Sequence, residues 1–348
     1  MNNKTKYISY LSVIGSIAVV YLHANGCFWS FSTDPYWKSA NIIESLFYFA
    51  VPIFFMISGA TLLNYSERYD TKTFFKKRAV KTLIPFLAWS TIALILIIIE
   101  SLIKGDALPS FREVIKGLVS GRIIDVYWFF PALFCVYLCI PLFAAVAKEK
   151  RKAVFSYIAV VCFVLNILIP FFIYVFDLPT ADYPYYIGVG AGYLFYVLTG
   201  YLLNEYDLNA GTRVIIYILS VLGLLTHILG TYFSSMEANE LIRTYKGYNN
   251  LPCILYTLGL FVLVKNLVQK KQSDKTTWLD KIVMFLKRYT FSIYLIHYFF
   301  IQGAVRLLHM DNTNLWYRLL CPIIVIVLCI GITFVLRKIP VIKKIVPE

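Results

Sequence analysis

The chain has 348 residues, of which 59% are hydrophobic and 15% charged, and its mean hydropathy is +0.70. A soluble domain of this composition would expose its core to water, so the composition excludes a soluble protein and indicates a polytopic membrane protein. The net charge of +14 could suggest a nucleic-acid partner. The distribution of the charges along the chain favours membrane topology instead, and we expect no nucleic acid to bind.

About ten apolar segments are long enough to cross a bilayer, since a helix needs about 20 residues to do so. With the N-terminus inside, most of the 33 Lys and Arg residues fall in inner segments, which predicts both termini in the cytoplasm. No signal-peptide cleavage pattern follows the first segment. We therefore predict one all-α membrane domain over 1–348, with crossings at 7–29, 42–62, 84–103, 126–147, 154–176, 186–203, 213–234, 251–269, 290–309 and 316–336.

The first segment carries a polar stripe. On a helix, Ser9, Ser12 and Ser16 lie within about 40° of the face of His23, and such a stripe in hydrocarbon must face protein or a cavity. Histidine changes charge near neutral pH, so His23 is the candidate for proton transfer. A hydrogen bond between helices is the other interpretation of a single membrane histidine.

Glu44 lies in the second segment at a depth similar to that of His23. A carboxylate beside an imidazole fixes its tautomer and stabilises the imidazolium, so we predict Glu44 as the partner of His23. Two alternatives remain open: Glu44 reaches the outer water, or Asp34 in the adjoining loop is the partner of His23 instead.

Two basic stretches, 72–83 and 270–288, have apolar residues opposite their cations. Each is predicted to be a short helix in the membrane interface, and anionic lipid headgroups are the usual ligands of such segments. The longer outer loops, 24–41 and 235–250, mix aromatic and polar side chains. That mixture suits either sugar stacking or interfacial anchoring.

The other histidines and the cysteines give weaker signals. Hydrogen bonding within the core is the favoured interpretation of His227, His297 and His309, and it is least secure for His297 near the middle of the ninth segment. The seven cysteines form no CxxC pattern, so neither a disulfide framework nor a metal site is expected.

Six sequence blocks together resemble the bacterial acyltransferase-3 family of integral membrane O-acyltransferases. They occur in family-like order over about 7–300, and they read YISYLSVIGSIAVVYLH (7–23), FAVPIFFMISGATLL (49–63), FFKKRAVKTLIPFLAWS (74–90), YWFFPALFCVYLCIPLF (127–143), GYLFYVLTGYLL (192–203) and FSIYLIHYFF (291–300).

The resemblance implies ten spans and transfer of an acyl group from cytoplasmic acyl-CoA to a hydroxyl of a cell-surface polysaccharide or its lipid-linked precursor. Acetyl is the commonest acyl group in the family, and the bacterial plasma membrane is the expected location. The family's histidine corresponds to His23, and its basic contacts with CoA phosphates correspond to Arg78 and Lys81, to which we add Lys77. We also predict substrate contacts at four residues of these blocks: Ser12, Ser58, Trp128 and His297.

One departure from the family pattern concerns the first helix. The family usually has an arginine eleven residues before the histidine and often an aspartate three residues earlier, whereas this chain has Ser12 and Ser9. Either serine hydroxyls and another cation position the substrate, or the chain is a non-catalytic homologue. A transporter or flippase of a glycan intermediate is a further alternative, although the paired broken helices of such proteins are not evident.

Overall fold

The fold is described by a computed structural model that covers residues 6–178, 186–270, 276–340 and 342–348. These residues form helices and connecting turns, and no strand occurs among them. The α-helices are α1 (Lys6–Ala24), α2 (Pro35–Phe47), α3 (Ala50–Leu62), α4 (Thr71–Arg78), α5 (Ile84–Lys104), α6 (Phe111–Ser120), α7 (Phe129–Ala144), α8 (Lys148–Cys162), α9 (Ile169–Val175), α10 (Tyr193–Glu205), α11 (Ala210–Ala238), α12 (Leu251–Lys270), α13 (Trp278–Lys287), α14 (Thr290–Arg306) and α15 (Leu315–Leu336).

Eight helical segments within the described residues are long and apolar enough to cross a membrane. The all-α, polytopic membrane fold predicted from the sequence is therefore confirmed. The remaining two predicted crossings contain helices shorter than 18 residues, which are α10 and α14. Helix α10 begins only at Tyr193 because Gly190 and Gly192 have positive φ angles of +79° and +58°, which interrupt a right-handed helix.

The basic stretch 72–83 does not form a separate interfacial helix, and that prediction is wrong. Helix α4 runs through a π-turn at Ala79–Leu83 directly into α5, so the cations occupy the first turns of one long helix. Pro85 follows the π-turn, and its ring would collide with the carbonyl four residues earlier in a regular α-helix. Widening the turn removes this collision.

The second basic stretch does contain a separate short helix, α13, although 271–275 lie outside the described residues. Its Asp280 accepts a hydrogen bond from Tyr10 at 2.5 Å and pairs with Lys6 at 2.6 Å, which attaches α13 to the first turns of α1. Burial opposes ionisation of Asp280, but hydrogen bonds from Lys6, Tyr10 and Thr277 hold the pKa of this carboxyl well below its usual value.

Helix α1 lies at the centre of the fold, in contact with α3, α12, α14 and α15. The polar stripe faces protein, as its composition requires, because Ser9, Ser12 and Ser16 are at most 5% exposed. Helices α3 and α10 pack at very short range: a Cβ on Gly59 would lie 1.9 Å from the carbonyl oxygen of Val197. Small residues allow this approach, as in many membrane helix pairs.

Helix α6 is not among the segments expected from the sequence. Ser110 and Glu113 form a capping box at its start, and none of its residues is buried. Phe111 and Val119 are 81% and 75% exposed, so its apolar side chains point away from the protein. Such an unburied amphipathic helix suits the membrane interface.

Candidate active site

A cavity of about 860 Å³ lies where the C-terminal end of α1 meets α2, α14 and the loops that precede α7 and α12. We call this end of the molecule the His23 end. The cavity wall is rich in polar and aromatic side chains: Trp29, Glu44, Tyr48, Arg122, Asp125, Trp128, Tyr193, Arg243, Tyr248, Asn249, Tyr298, Gln302, Asn312 and Tyr317 lie there with His23.

His23 occupies the last turn of α1 and lines the cavity. Its ring lies 5.1 Å, centroid to centroid, from the ring of His297 on α14, and the edge of Tyr298 approaches it at 5.9 Å. The fold therefore places a half-buried imidazole against the cavity and gives it a second imidazole as a neighbour.

His297 is fully buried behind His23, and its hydrogen bonds determine its tautomer. Its Nδ1 lies 2.9 Å and 2.8 Å from the carbonyl oxygens of Ile293 and Tyr294. Two carbonyls can only accept, so Nδ1 carries the proton and Nε2 presents a lone pair. That Nε2 has no hydrogen-bond partner within the described part of the chain.

Glu44 lines the same cavity, but its carboxylate has partners other than His23, so the predicted pairing is wrong. One oxygen accepts a hydrogen bond from Asn25 Nδ2 at 3.2 Å, and the other lies 3.6 Å from Lys246 Nζ. Asn25 in turn accepts from the buried guanidinium of Arg318 at 3.3 Å. The alternative partner Asp34 is exposed and accepts from Ser32. Glu44 does not reach the outer water, since it is 1% exposed.

Lys246 anchors the loop between α11 and α12. Its ammonium lies 3.6 Å from the ring centroid of Tyr48 and 4.5 Å from that of Phe28, with Glu44 as its acidic neighbour. Burial lowers the pKa of Lys246 to about 8, and Glu44 offsets part of that shift. Lys246 is thus a buried cation enclosed by aromatic rings, although it lies in a loop.

Trp128 lies in the cavity wall, as a substrate-binding residue should. Its ring is stacked on Tyr248 with centroids 5.5 Å apart, and Tyr248 is stacked on Tyr48 at 4.3 Å. The backbone carbonyl of Tyr248 also accepts a hydrogen bond from the Tyr196 hydroxyl, which fixes the loop. The result is a continuous row of stacked aromatic rings in the cavity wall.

Ser12 and Ser58, both predicted to contact substrate, are not among the residues that line the cavity. Each hydroxyl donates to the carbonyl four residues earlier in its own helix, Ser12 to Ile8 at 2.8 Å and Ser58 to Phe54 at 2.9 Å. This is the usual arrangement of a helical serine, and it leaves neither hydroxyl needing another partner.

The three predicted donor-binding cations lie at the opposite end of the molecule, which we call the Arg78 end. Helix α5 has 21 residues and is about 31 Å long, and it separates Arg78 from the His23 end. The Arg78 guanidinium lies over the rings of Phe74 and Tyr137, at 5.8 Å and 5.7 Å. Lys77 and Lys81 are exposed, with the Lys77 ammonium over the ring of Tyr69.

Several residues of the site were not identified from the sequence: Arg122, Asp125, Tyr193 and Arg243 line the cavity, whereas Lys246 and Arg318 contact Glu44 and Asn25. The mixture of aromatic and polar residues in 235–250 was the available signal, and it also suited interfacial anchoring. His227, for which core hydrogen bonding was expected, is buried between the rings of Tyr48 and Tyr256, and its ring nitrogens have no partner among the described residues.

Comparison with known families identifies the family of this chain. A model of the acyltransferase-3 family, described as an acyltransferase domain, matches residues 5–336. The chain belongs to the acyltransferase-3 family. It is accordingly a multi-pass membrane acyltransferase, as the six blocks indicated. Comparison with curated proteins and with solved structures finds no significant match.

Proposed function

We propose that this acyltransferase moves an acyl group, with acetyl as the first candidate, from cytoplasmic acyl-CoA to a hydroxyl of a bacterial surface polysaccharide or its lipid-linked precursor. The observation that carries the proposal is the position of His23, an imidazole in the wall of a cavity of about 860 Å³. This volume lies within the range of about 300–1,000 Å³ usual for ligand sites.

His23 would act as a general base. As the acceptor hydroxyl attacks the thioester carbonyl carbon, the imidazole takes the hydroxyl proton and a C–O bond forms. Collapse of the tetrahedral intermediate breaks the C–S bond, and the imidazolium returns the proton to the leaving CoA thiolate. The products are the O-acyl ester and free CoA, and His23 ends the cycle neutral.

His297, instead of Glu44, is suited to position His23. Its Nε2 lone pair is buried without a partner among the described residues, and the neighbouring His23 ring, 5.1 Å away between centroids, carries an N–H that would satisfy it. With that N–H engaged, the other nitrogen of His23 would hold its lone pair toward the acceptor. This assigns His297 a positioning role, where the sequence predicted direct substrate contact.

The donor would bind from the Arg78 end. CoA is polyanionic, so its phosphates would bind Lys77, Arg78 and Lys81 while the thin pantetheine arm enters between helices. The acceptor sugar would enter at the His23 end and stack on the wall formed by Trp128 and Tyr248. Donor and acceptor would thus meet inside the membrane domain.

Replacement of the base tests this proposal. His23→Ala should reduce acylation of surface polysaccharide by about 10²–10⁴-fold, because general-base catalysis typically contributes that much. The measurement is the mass of the polysaccharide repeat, in which one acyl increment identifies reaction and acceptor together.

The matched control is His309→Asn, which removes an exposed histidine outside the cavity and places a tolerated residue at its positive φ of 50°. The control should acylate normally. Normal acylation by His23→Ala at equal protein level would refute the assignment of the base. Absence of acylation in the wild type as well would favour a non-catalytic homologue.

A further inference from the structure

Two exposed arginines of the cavity wall, Arg122 and Arg243, have no acidic partner among the described residues. Arg122 precedes α7 and Arg243 lies between α11 and α12, so separate parts of the chain bring them to one cavity. Neither guanidinium forms a hydrogen bond or ion pair with any residue in the described ranges. The Arg243 guanidinium lies 5.4 Å from the centroid of the Trp29 ring.

The backbones that carry these arginines are fixed. Gly121 ends α6 with φ +65°, and the Arg122 N–H donates to the Gly117 carbonyl at 2.7 Å. The Arg243 carbonyl accepts from the N–H of Lys246 at 3.0 Å, and Lys246 is itself held by Glu44 and Tyr48. Both guanidinium groups are therefore carried on an ordered backbone and remain available to a ligand. An ordered backbone lowers the entropy cost of binding.

The charges of the wall do not balance. Of its two carboxylates, Glu44 is already engaged by the buried Lys246, which leaves Asp125 as the one remaining carboxylate of the wall against two arginines. The cavity thus presents an excess of positive charge where the acceptor would enter, and a concave site concentrates the potential of such charges.

These arginines are separate from the predicted CoA phosphate site. Arg78 precedes α5, whereas Arg122 follows it and lines the cavity at the other end of a helix about 31 Å long. An anion bound at the His23 end is therefore a different ligand, or a different part of a ligand, from one bound at Arg78.

We infer that Arg122 and Arg243 bind an anionic group of the acceptor, either a phosphate or a carboxylate. The planar guanidinium matches both groups in bidentate geometry. The identification of this ligand as the acceptor rests on the function proposed above, whereas the anion-binding site itself rests on the two arginines alone. The acceptor is then an acidic or phosphorylated glycan instead of a neutral one.

The test is a binding measurement on the full chain in nanodiscs of zwitterionic phosphatidylcholine, which supply no competing anionic headgroup. The probes are glucose 1-phosphate, glucuronic acid and the neutral methyl glucoside. Wild type should bind one or both anionic probes about tenfold more tightly than the neutral probe. Arg122→Gln with Arg243→Gln should remove that difference, and high salt should reduce it.

The matched control removes two cations from the same end outside the cavity, Arg112→Gln with Lys116→Gln, both exposed on α6. It should keep the preference for anionic probes. The double Arg→Lys variant of Arg122 and Arg243 should keep part of it, because the charge remains while the fork geometry is lost. The tighter of the two anionic probes identifies the chemical class.

Equal binding of neutral and anionic probes, or equal losses in control and test variants, would overturn the anion site. If CoA binds through Arg122 and Arg243, so that replacing these arginines weakens CoA binding, the assignment of the site to the acceptor would be overturned. A wild type that binds the anionic probe through these arginines yet acylates no glycan would refute the transferase proposal and support the site.

Discussion

Arg78 differs from Lys77 and Lys81 because aromatic rings hold its side chain. Phe74 and Tyr137 lie on its guanidinium, and its Nε is buried without a partner among the described residues. A cation held in this way keeps its position while its outer nitrogens stay available to a phosphate. Exposed lysines, by contrast, must be ordered when the phosphate binds.

We predict that Arg78→Ala raises the KM for acyl-CoA, and that Arg78→Ala with Lys81→Ala raises it further. Each lost charge-assisted contact is worth about 1.5–3 kcal/mol. Steady-state kinetics with varied acyl-CoA provide the measurement. Lys77→Ala should have a smaller effect, and Lys281→Ala on α13 serves as the control. Equal effects at all four positions would instead indicate lipid anchoring.

Glu44, which lines the cavity, forms a buried ion pair with Lys246, and the two residues are 1% and 3% exposed. Removal of one member of such a pair leaves an uncompensated buried charge, which typically costs about 3–5 kcal/mol. We predict that Lys246→Met lowers the melting temperature strongly and that adding Glu44→Gln restores most of it. The control Lys38→Met removes an exposed cation from the first turn of α2 and should change little.

The same lysine gives this prediction a pH dependence. Its pKa in the folded chain, about 8, lies below that of an ordinary lysine, so the unfolded chain binds more protons between about pH 8 and 10. The stability contributed by this group should therefore rise with pH across that window, and Lys246→Met should lack the rise. An identical pH profile in the variant would show that Lys246 is not a buried cation.

The site residues differ in how far the sequence could identify them. His23 could be predicted because the polar stripe is a local pattern with the period of one helix. Its neighbour His297 lies on α14, and no spacing along the chain reports which distant helix packs beside α1. Lys246 looked like an ordinary loop lysine, because its burial arises only where Phe28, Tyr48 and Glu44 meet.

At the scale of elements, α1 contains the departure from the family pattern. Ser12 is 2% exposed, its hydroxyl is bound within the helix, and it does not line the cavity that holds His23. Ser9, three residues earlier, is 5% exposed on a neighbouring turn. The structure thus fills the position of the usual charged pair with two small buried serines.

We predict that Ser12→Arg alone reduces acylation and protein level, because an unpaired buried guanidinium costs several kcal/mol. Adding Ser9→Asp should partly restore both, since residues three apart on a helix can pair. Glycan acylation and membrane protein level are the measurements. Full activity of the single variant would reveal an acidic partner near Ser12, whereas activity only in the double variant would show that the wild type is inactive.

The membrane-crossing segments were easier to predict from the sequence than the local helix geometry within and between them. Apolar length gave the order of the helices but no warning that α4 and α5 would join through a π-turn, for which Pro85 was the local signal. Helix α6 was missed because its ten residues are too few and too charged for a span search. A search for short amphipathic periods with a capping box, here Ser110 and Glu113, would have found it.

For the whole molecule, two cationic sites lie at opposite ends, and the inner segments hold most of the Lys and Arg residues. If the positive-inside rule applies, the Arg78 end faces the cytoplasm, where acyl-CoA is present, and the His23 end faces outward. Both termini would then be cytoplasmic, and the acceptor would be approached from the outside.

Single cysteines at exposed positions test this orientation in intact cells. Lys116→Cys on α6 and Glu240→Cys beyond α11 should react with a membrane-impermeant maleimide added outside, whereas Lys76→Cys and Lys150→Cys should react only after permeabilisation. The parent chain gives the background, which should be low because five of its seven free cysteines are buried and Cys135 and Cys139 lie on the spanning helix α7. Labelling of positions 76 and 116 from the same side would contradict the orientation and with it the separation of donor and acceptor across the membrane.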